Sequence, residues 1–134
     1  MTALDSNFLI DILRGKGTSE VTVDMIDDPK TTIINVFELY FGARLSAKQD
    51  ENISKINSLL KSIDILGFDR PAAVKAADIH ARLTSSGKPL DVLDVLIAGI
   101  VMANNEVLVT RDIDHFSRIP GLKCISWKPG DYGR

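Results

Sequence analysis

Residues 90–110, LDVLDVLIAGIVMANNEVLVT, contain the pattern that decides the fold class, a helix followed by a strand. Asp91 is placed to cap a helix that runs from Val92 to about Asn104. This helix is apolar nearly all round, so we expect it to be central and buried. The short β-branched run Val107–Thr110 that follows is predicted to be a buried strand.

The rest of the chain repeats this alternation of strands and helices. Further strands are predicted at Met1–Leu4, Thr31–Ile34, Ile63–Leu66 and Lys123–Ser126. Further helices are predicted at Asn7–Gly15, Ser19–Asp28, Asn35–Ser46, Asp50–Ser62, Asp69–Gly87 and Ile113–Arg118. Alternating strands and helices predict an α/β fold with a parallel sheet that is covered on both faces.

The bulk composition suits one ordinary domain over residues 1–134, with a loose tail at 128–134. The net charge of −2 argues against a general basic nucleic-acid binder. It leaves a nuclease open, since metal ions can neutralise phosphates locally. The single cysteine, Cys124, is expected to be a small buried residue, and a chain without disulfides fits a reducing compartment.

A membrane or secretory location is not expected from the sequence. No signal peptide is apparent, because Asp5 and Asp11 interrupt the N-terminal apolar stretch. The longest apolar run, Val95–Ala103, is far shorter than the roughly 20 residues that span a bilayer. We therefore predict a cytoplasmic protein.

Isolated acidic residues stand inside apolar stretches, each near a junction of a strand and a helix: Asp5, Glu38, Asp94 and Asp112. A carboxylate drawn toward a low-dielectric interior is unfavourable unless something compensates it. In a parallel sheet, ligands bind at the carboxyl ends of the strands, so the topology can bring these acids to one rim. Oxygen ligands without Cys or His favour Mg²⁺ or Mn²⁺ over zinc.

Each of these acids also has a purely structural interpretation. Asn35 and Glu38 have the spacing of a helix capping box, and so do Asp91 and Asp94. Asp5 and Asp112 could cap the helices that follow them. Capping does not require apolar surroundings, whereas a metal site benefits from them, so the acids taken together favour the metal site.

The same residues carry a resemblance to a known family. Residues 4–15 (LDSNFLIDILRG), 33–43 (IINVFELYFGA), 91–100 (DVLDVLIAGI) and 108–122 (LVTRDIDHFSRIPGL) resemble, in this order, four blocks of PIN domains, especially the VapC-type toxins of toxin–antitoxin pairs. The resemblance implies a three-layer α/β/α sandwich with a four- to five-stranded parallel sheet. It also implies a ribonuclease that depends on Mg²⁺ or Mn²⁺, is inhibited by a cognate antitoxin and forms a homodimer.

The resemblance also assigns roles to individual residues. Asp5, Glu38, Asp94 and Asp112 would form the metal site and activate a water molecule, and cleavage would leave a 5′-phosphate and a 3′-hydroxyl. Auxiliary roles fall on Asn7, which could orient Asp5 or the substrate or cap the first helix, and on Thr110, a supporting hydroxyl. His115 departs from the family pattern because an acid often stands there. Asp91 is an extra acid that could join the site or serve as a cap, and Asp114 could replace the missing acid.

Contacts to RNA and to protein partners are predicted on the surface. The basic residues that could hold the RNA backbone are Arg14, Lys16, Arg44, Lys88 and Arg111, of which Arg111 adjoins Asp112. The Ala-rich helix from Ala72 to Leu83 and the aromatic residues Phe37, Tyr40 and Phe41 could serve a dimer or antitoxin interface, but core packing is the expected role for most of them.

Three other interpretations of the sequence are alternatives to a nuclease. A phosphate-accepting receiver domain would place an acidic pair after the first strand and a lysine after the last, and here Asp5 stands alone. A haloacid-dehalogenase-type phosphatase would need D-x-D where this chain has Asp5-Ser6-Asn7. A non-catalytic PIN-like binding or scaffold domain would have lost the acids.

Overall fold

The computed structural model describes residues 2–14 and 26–126, in which a five-stranded sheet forms the middle layer. The strands are β1 (Thr2–Leu4), β2 (Pro29–Thr32), β3 (Asp64–Leu66), β4 (Val107–Thr110) and β5 (Cys124–Ser126). Their order across the sheet is β3-β2-β1-β4-β5, and every pair is parallel. The predicted α/β class and the four- to five-stranded parallel sheet are confirmed.

Helices cover both faces of the sheet. They are α1 (Ser6–Arg14), α2 (Ile33–Leu45), α3 (Gln49–Leu60), α4 (Arg70–Ser85), α5 (Val92–Ala103) and the short α6 (Ile113–Phe116). Successive residues of a strand point to opposite faces. Accordingly, Ala3 and Leu108 pack with α4, α5 and α6, whereas Leu4 and Val109 pack with α1, α2 and α3. These two cores complete the three-layer sandwich.

The close crossing of α5 and α4 depends on a glycine. A Cβ atom at Gly99 would lie 2.7 Å from Cβ of Ala76 and 2.8 Å from the carbonyl oxygen of Ala72. Only glycine permits this approach. Half of the residues of α5 are buried, so the helix is less completely buried than the sequence predicted, and the Ala-rich face of α4 packs in the core as expected.

The start of α2 corrects the sequence prediction. Strand β2 ends at Thr32 rather than Ile34, and the helix begins at Ile33. The Thr32 hydroxyl oxygen accepts a hydrogen bond from the backbone N–H of Asn35, so Thr32 is the cap and the predicted Asn35 cap is wrong. The register explains the shift, because β2 pairs with β1 from Pro29 onward. The hydrogen bond that caps the helix at Thr32 then outweighs the preference of Ile33 and Ile34 for a strand.

Other elements lie close to their predicted bounds, with a few differences. The predicted helix Ser19–Asp28 falls largely on residues 15–25, outside the described ranges, and residues 26–28 are bends. The tail at 128–134 is also outside them. Cys124 is half-buried rather than buried, because β5 is an edge strand.

In the part of the chain that the structure describes, no helix is long and apolar enough to cross a membrane.

Candidate active site at the carboxyl edge of the sheet

The fold brings the predicted acids to one edge of the sheet. Asp5 directly follows β1 and Asp112 lies just beyond β4, and these two strands are neighbours. Glu38 lies in the second turn of α2, and Asp94 lies in the first turn of α5. The site therefore draws on four separate segments of the chain.

Asp5 is the buried centre of the site, with 5% of its surface exposed. Its Oδ1 accepts hydrogen bonds from the backbone N–H of Ser6 at 2.9 Å and from Nδ2 of Asn35 at 3.0 Å. Its Oδ2 accepts one from the Thr110 hydroxyl at 2.7 Å. Burial raises the pKa of Asp5 despite these hydrogen bonds, and the negative charge of Asp112 adds to the increase.

Glu38 is joined to Asp5 through two polar side chains. Its Oε1 accepts hydrogen bonds from Oγ of Ser6 at 2.8 Å and from Nδ2 of Asn35 at 3.4 Å. Burial raises the pKa of Glu38, and the charges of Asp5 and Asp94 raise it further. Glu38 is thus near enough to Asp5 and Asp94 for their charges to repel one another, and a bound cation would offset this repulsion.

Thr110 and Asn7 connect Asp112 to this network. The Thr110 hydroxyl, which is fully buried, accepts a hydrogen bond from the backbone N–H of Asp112 at 3.0 Å while it donates to Asp5. Asn7, the second residue of α1, donates from Nδ2 to Oδ2 of Asp112 at 3.3 Å. Asn7 therefore lies inside α1 rather than at its cap, and its amide contacts Asp112, while its role in orienting Asp5 or the substrate stays a prediction.

Asp94 has a partner that the sequence reasoning did not assign. Nε2 of His115 lies 2.7 Å from Oδ2 of Asp94, and both side chains are partly exposed, by 38% and 24%. The residue that replaces the usual acid of the family pattern is thus itself in the site.

The donor chemistry fits a hard divalent cation, since the four predicted ligands are all carboxylates. A cation would also relieve the repulsion that raises the pKa of Asp5 and Glu38. As the side chains stand, no three Asp, Glu, His or Cys groups within residues 2–14 and 26–126 are close enough together to hold one ion. Asp5, Glu38 and Asp112 each accept at least one hydrogen bond, and Asp94 pairs with His115.

The auxiliary acids are placed differently from the quartet. Oδ1 of Asp91 accepts a hydrogen bond from the backbone N–H of Leu93 at 3.1 Å, so Asp91 caps α5, one of the two roles that the sequence left open. Asp114 lies on α6 with an exposed side chain.

The predicted basic residues occupy several places. Nη1 of Arg111 lies 2.9 Å from Oδ2 of Asp11, a buried acid that the sequence reasoning missed. Arg14 and Arg44 are exposed in the last turns of α1 and α2. Lys88 is exposed in a loop, and Lys16 lies outside the described residues.

Ser6, Asn35 and His115 are the site residues that were missed. Asn35 lies three residues before Glu38. This spacing is typical of a helix capping box, and it is equally compatible with two residues of one functional site. The signal that could have found Asn35 is its position inside the same apolar stretch as Glu38.

Comparison with known proteins decides the family. A model of the PIN domain matches residues 2–122. The tRNA(fMet)-specific endonuclease VapC of Salmonella typhimurium is 31% identical over 94 residues, which are 70% of this chain and 71% of the relative. This chain belongs to the PIN-domain family. The VapC of Shigella flexneri, described in the same words, is 29% identical to this PIN domain over 92% of the chain and 96% of the relative.

Solved structures agree with the fold of this PIN domain. The chain in DNA-bound VapBC from Salmonella typhimurium superposes with a TM-score of 0.86 at 26% identity, covering 95% of this chain and 98% of that one. The chain in VapBC2 from Rickettsia felis, bound to a promoter DNA fragment, gives a TM-score of 0.82 at 25% identity, with 95% and 98% covered.

Proposed function

We propose that this VapC-type ribonuclease hydrolyses RNA phosphodiester bonds with Mg²⁺ or Mn²⁺ at the rim formed by Asp5, Glu38, Asp94 and Asp112. The observation that carries the proposal is the hydrogen-bond network that joins Asp5, Glu38 and Asp112 at one edge of the sheet. Asp112 raises the pKa of Asp5, and Asp5 and Asp94 raise that of Glu38. Acids that repel one another in a partly buried cluster are unfavourable unless a cation joins them.

Each residue of the rim has a part in hydrolysis. A bound divalent ion lowers the pKa of an attacking water and neutralises charge on the phosphate and the leaving oxygen. Asp5 and Asp94 would hold the ion, and Glu38 and Asp112 would hold it directly or through water. Glu38 or Asp112 would take the proton of the attacking water. Asn35 and Thr110 keep Asp5 in position through their hydrogen bonds.

The substrate is proposed from the relatives and from physical access. The relatives from Shigella and Salmonella are described as specific for tRNA(fMet), so a structured RNA with single-stranded loops is the first candidate. Unpaired strands reach a recessed site more easily than a stiff duplex. We propose Arg14, Arg44 and Arg111 as contacts to the RNA phosphates, and the last of them is paired with Asp11.

Protein partners are proposed in the same way. The solved VapBC structures are toxin–antitoxin complexes, and we propose that an antitoxin binds this chain. Phe37 and Phe41 are more than half exposed and stack with their ring centroids 6.0 Å apart. The expectation that they pack in the core is wrong, so they stay candidates for the antitoxin or homodimer interface. We further propose that residues 1–134 act as one domain in the cytoplasm.

The alternative is a PIN domain that binds partners without catalysis. Its sequence mark would be loss of the acids, and this chain retains all of them. Membership of the PIN family leaves the receiver-domain and phosphatase readings without support.

The test is cleavage of end-labelled single-stranded and structured RNAs by the wild type and by Asp94→Asn, with Mn²⁺, Mg²⁺ or a chelator. We expect cutting by the wild type only, dependent on metal, with 5′-phosphate and 3′-hydroxyl ends. A 2′,3′-cyclic phosphate product would contradict the mechanism, and equal cutting in chelator would contradict the metal.

A further inference from the structure

A cavity of about 460 Å³ opens between α1, α2 and α3 and reaches the acidic rim at Glu38. Its wall is largely aliphatic, with Leu39, Ala43 and Ile56 belonging to the core on that face of the sheet. The remaining lining residues are Ile10, Leu13, Arg14, Gly42, Ser46, Asn52 and Lys55. This volume is within the range of small-ligand sites, about 300–1,000 Å³.

We propose that this cavity holds one unpaired base of the RNA strand, next to the phosphodiester that is cut at the rim. The proposal rests on the proposed ribonuclease function and adds to it a nucleobase subsite. Enzymes that read an unstacked base enclose it between apolar or aromatic side chains and bond its edge. Ile10, Leu13 and Leu39 supply the apolar surfaces here.

The direction of the cavity suits a strand that leaves the acidic rim. Glu38, Gly42 and Ser46 follow one another along α2 at single-turn intervals. At 1.5 Å per residue, Ser46 lies about 12 Å beyond the residue at the rim. The cavity therefore extends from the acidic rim toward Ser46, which gives the base next to a phosphodiester at the rim room to enter it.

Polar groups for the edge of a base lie at the far end. Nδ2 of Asn52 donates to the hydroxyl of Ser46 at 2.9 Å, which holds the two side chains together. An amide carries two N–H donors and a carbonyl acceptor, so Asn52 keeps bonding capacity beyond this contact.

The charge at the mouth of the cavity suits the backbone of an RNA strand. Arg14 and Lys55 both line the opening. Lys55 forms an exposed pair with Glu51 at 3.5 Å, which is a weak interaction. Two cations beside an apolar wall complement the phosphates on either side of an inserted base.

Gly42 permits a clean test. A Cβ atom there meets nothing within 4 Å, so a large side chain can enter the cavity without clashing with the protein. Gly42→Trp fills the cavity. Gly42→Ala removes the glycine from the same helix position without filling the cavity. Gly67→Trp is the matched control, because a Cβ atom at Gly67 also meets nothing within 4 Å. Gly42→Leu repeats the test if the tryptophan variant does not fold.

Two readouts separate this proposal from the ribonuclease function. The first is the affinity for labelled single-stranded RNA in chelator, where nothing is cut. The second is hydrolysis of bis(p-nitrophenyl) phosphate, which has no base, with Mn²⁺. Gly42→Trp should bind RNA about tenfold more weakly, in line with the loss of one base contact. It should hydrolyse the small diester at the wild-type rate, and both controls should match the wild type in both assays.

Equal RNA affinity of Gly42→Trp and the wild type overturns the nucleobase subsite, even if both cleave RNA. Loss of antitoxin binding with unchanged RNA affinity also overturns it and assigns the cavity to a protein segment. A wild type that binds RNA more tightly than Gly42→Trp but cuts nothing with metal supports the subsite and contradicts the ribonuclease function instead.

Discussion

Nε2 of His115 lies 2.7 Å from Oδ2 of Asp94, so a histidine on α6 pairs with an acid in the first turn of α5. The family pattern often has an acid where His115 stands. The rim of this chain thus carries one fewer negative charge near Asp94 than an all-acidic arrangement. This difference leads to the first prediction.

His115→Asp should lower the melting temperature in metal-free buffer, since it puts a second carboxylate beside Asp94 where a favourable pair now exists. The same change should enlarge the increase in melting temperature caused by Mn²⁺, because the added carboxylate attracts the cation. Thermal unfolding with and without Mn²⁺ measures both effects. His115→Asn adds no charge and serves as the control. A Mn²⁺ effect no larger in His115→Asp than in the wild type would contradict a cation site next to Asp94.

Thr110→Val should destabilise the fold and weaken cleavage. Valine has the shape of threonine but loses the hydroxyl that donates to Asp5 and accepts from the N–H of Asp112. Leaving such buried groups unpaired is unfavourable by about 1–3 kcal/mol. Thr110→Ser keeps the hydroxyl and should retain most activity. Urea unfolding and RNA cleavage would test this, and a valine variant as active as the serine variant would show that the hydroxyl is dispensable.

Alanine at two helical glycines should have opposite effects. At Gly99 the new Cβ would press against Ala76 and Ala72, so Gly99→Ala should destabilise by about 1–3 kcal/mol. At Gly42 the space is open, and Gly42→Ala should stabilise α2 by about 0.5–1 kcal/mol. Chemical unfolding of the two variants measures the difference. Similar effects at both positions would contradict the close crossing of α4 and α5.

The stability of the metal-free protein should depend on pH through Asp5 and Glu38. Both carboxyl pKa values are raised, chiefly by burial, so the folded state binds protons more tightly than the unfolded chain. The resulting stabilisation is complete below the unfolded pKa and is lost as the pH rises through the folded pKa. Glu38→Gln keeps an oxygen for the Ser6 hydroxyl but cannot ionise. It should therefore gain stability relative to the wild type at neutral pH and not at acid pH, and a gain independent of pH would contradict this.

Much of the site follows from local patterns in the sequence. The acids Asp5, Glu38, Asp94 and Asp112 stand out because each interrupts an apolar stretch beside a strand or helix end. The parallel topology then predicts their common edge, as the structure shows for β1 and β4. The bounds of β4 are also predicted correctly, because a short β-branched run leaves little ambiguity.

What could not be predicted depends on contacts between distant segments. Asp11 and Arg111 pair across 100 positions, and His115 reaches Asp94 from another helix. Neither pair can be recognised from the residues that surround it in the sequence. Asn35 was missed for a different reason, since the capping-box spacing has the same form as a shared site, and only the sheet register moves the cap to Thr32.

The most direct test of the central claim is a calorimetric titration of Mn²⁺ into the wild type, Asp94→Asn and Asp91→Asn. The two variants remove carboxylates three positions apart, and only Asp94 is assigned to the rim, because Asp91 caps α5. The account predicts that Asp94→Asn loses Mn²⁺ binding while Asp91→Asn binds as tightly as the wild type. Unchanged binding in Asp94→Asn would contradict a metal site at the acidic rim.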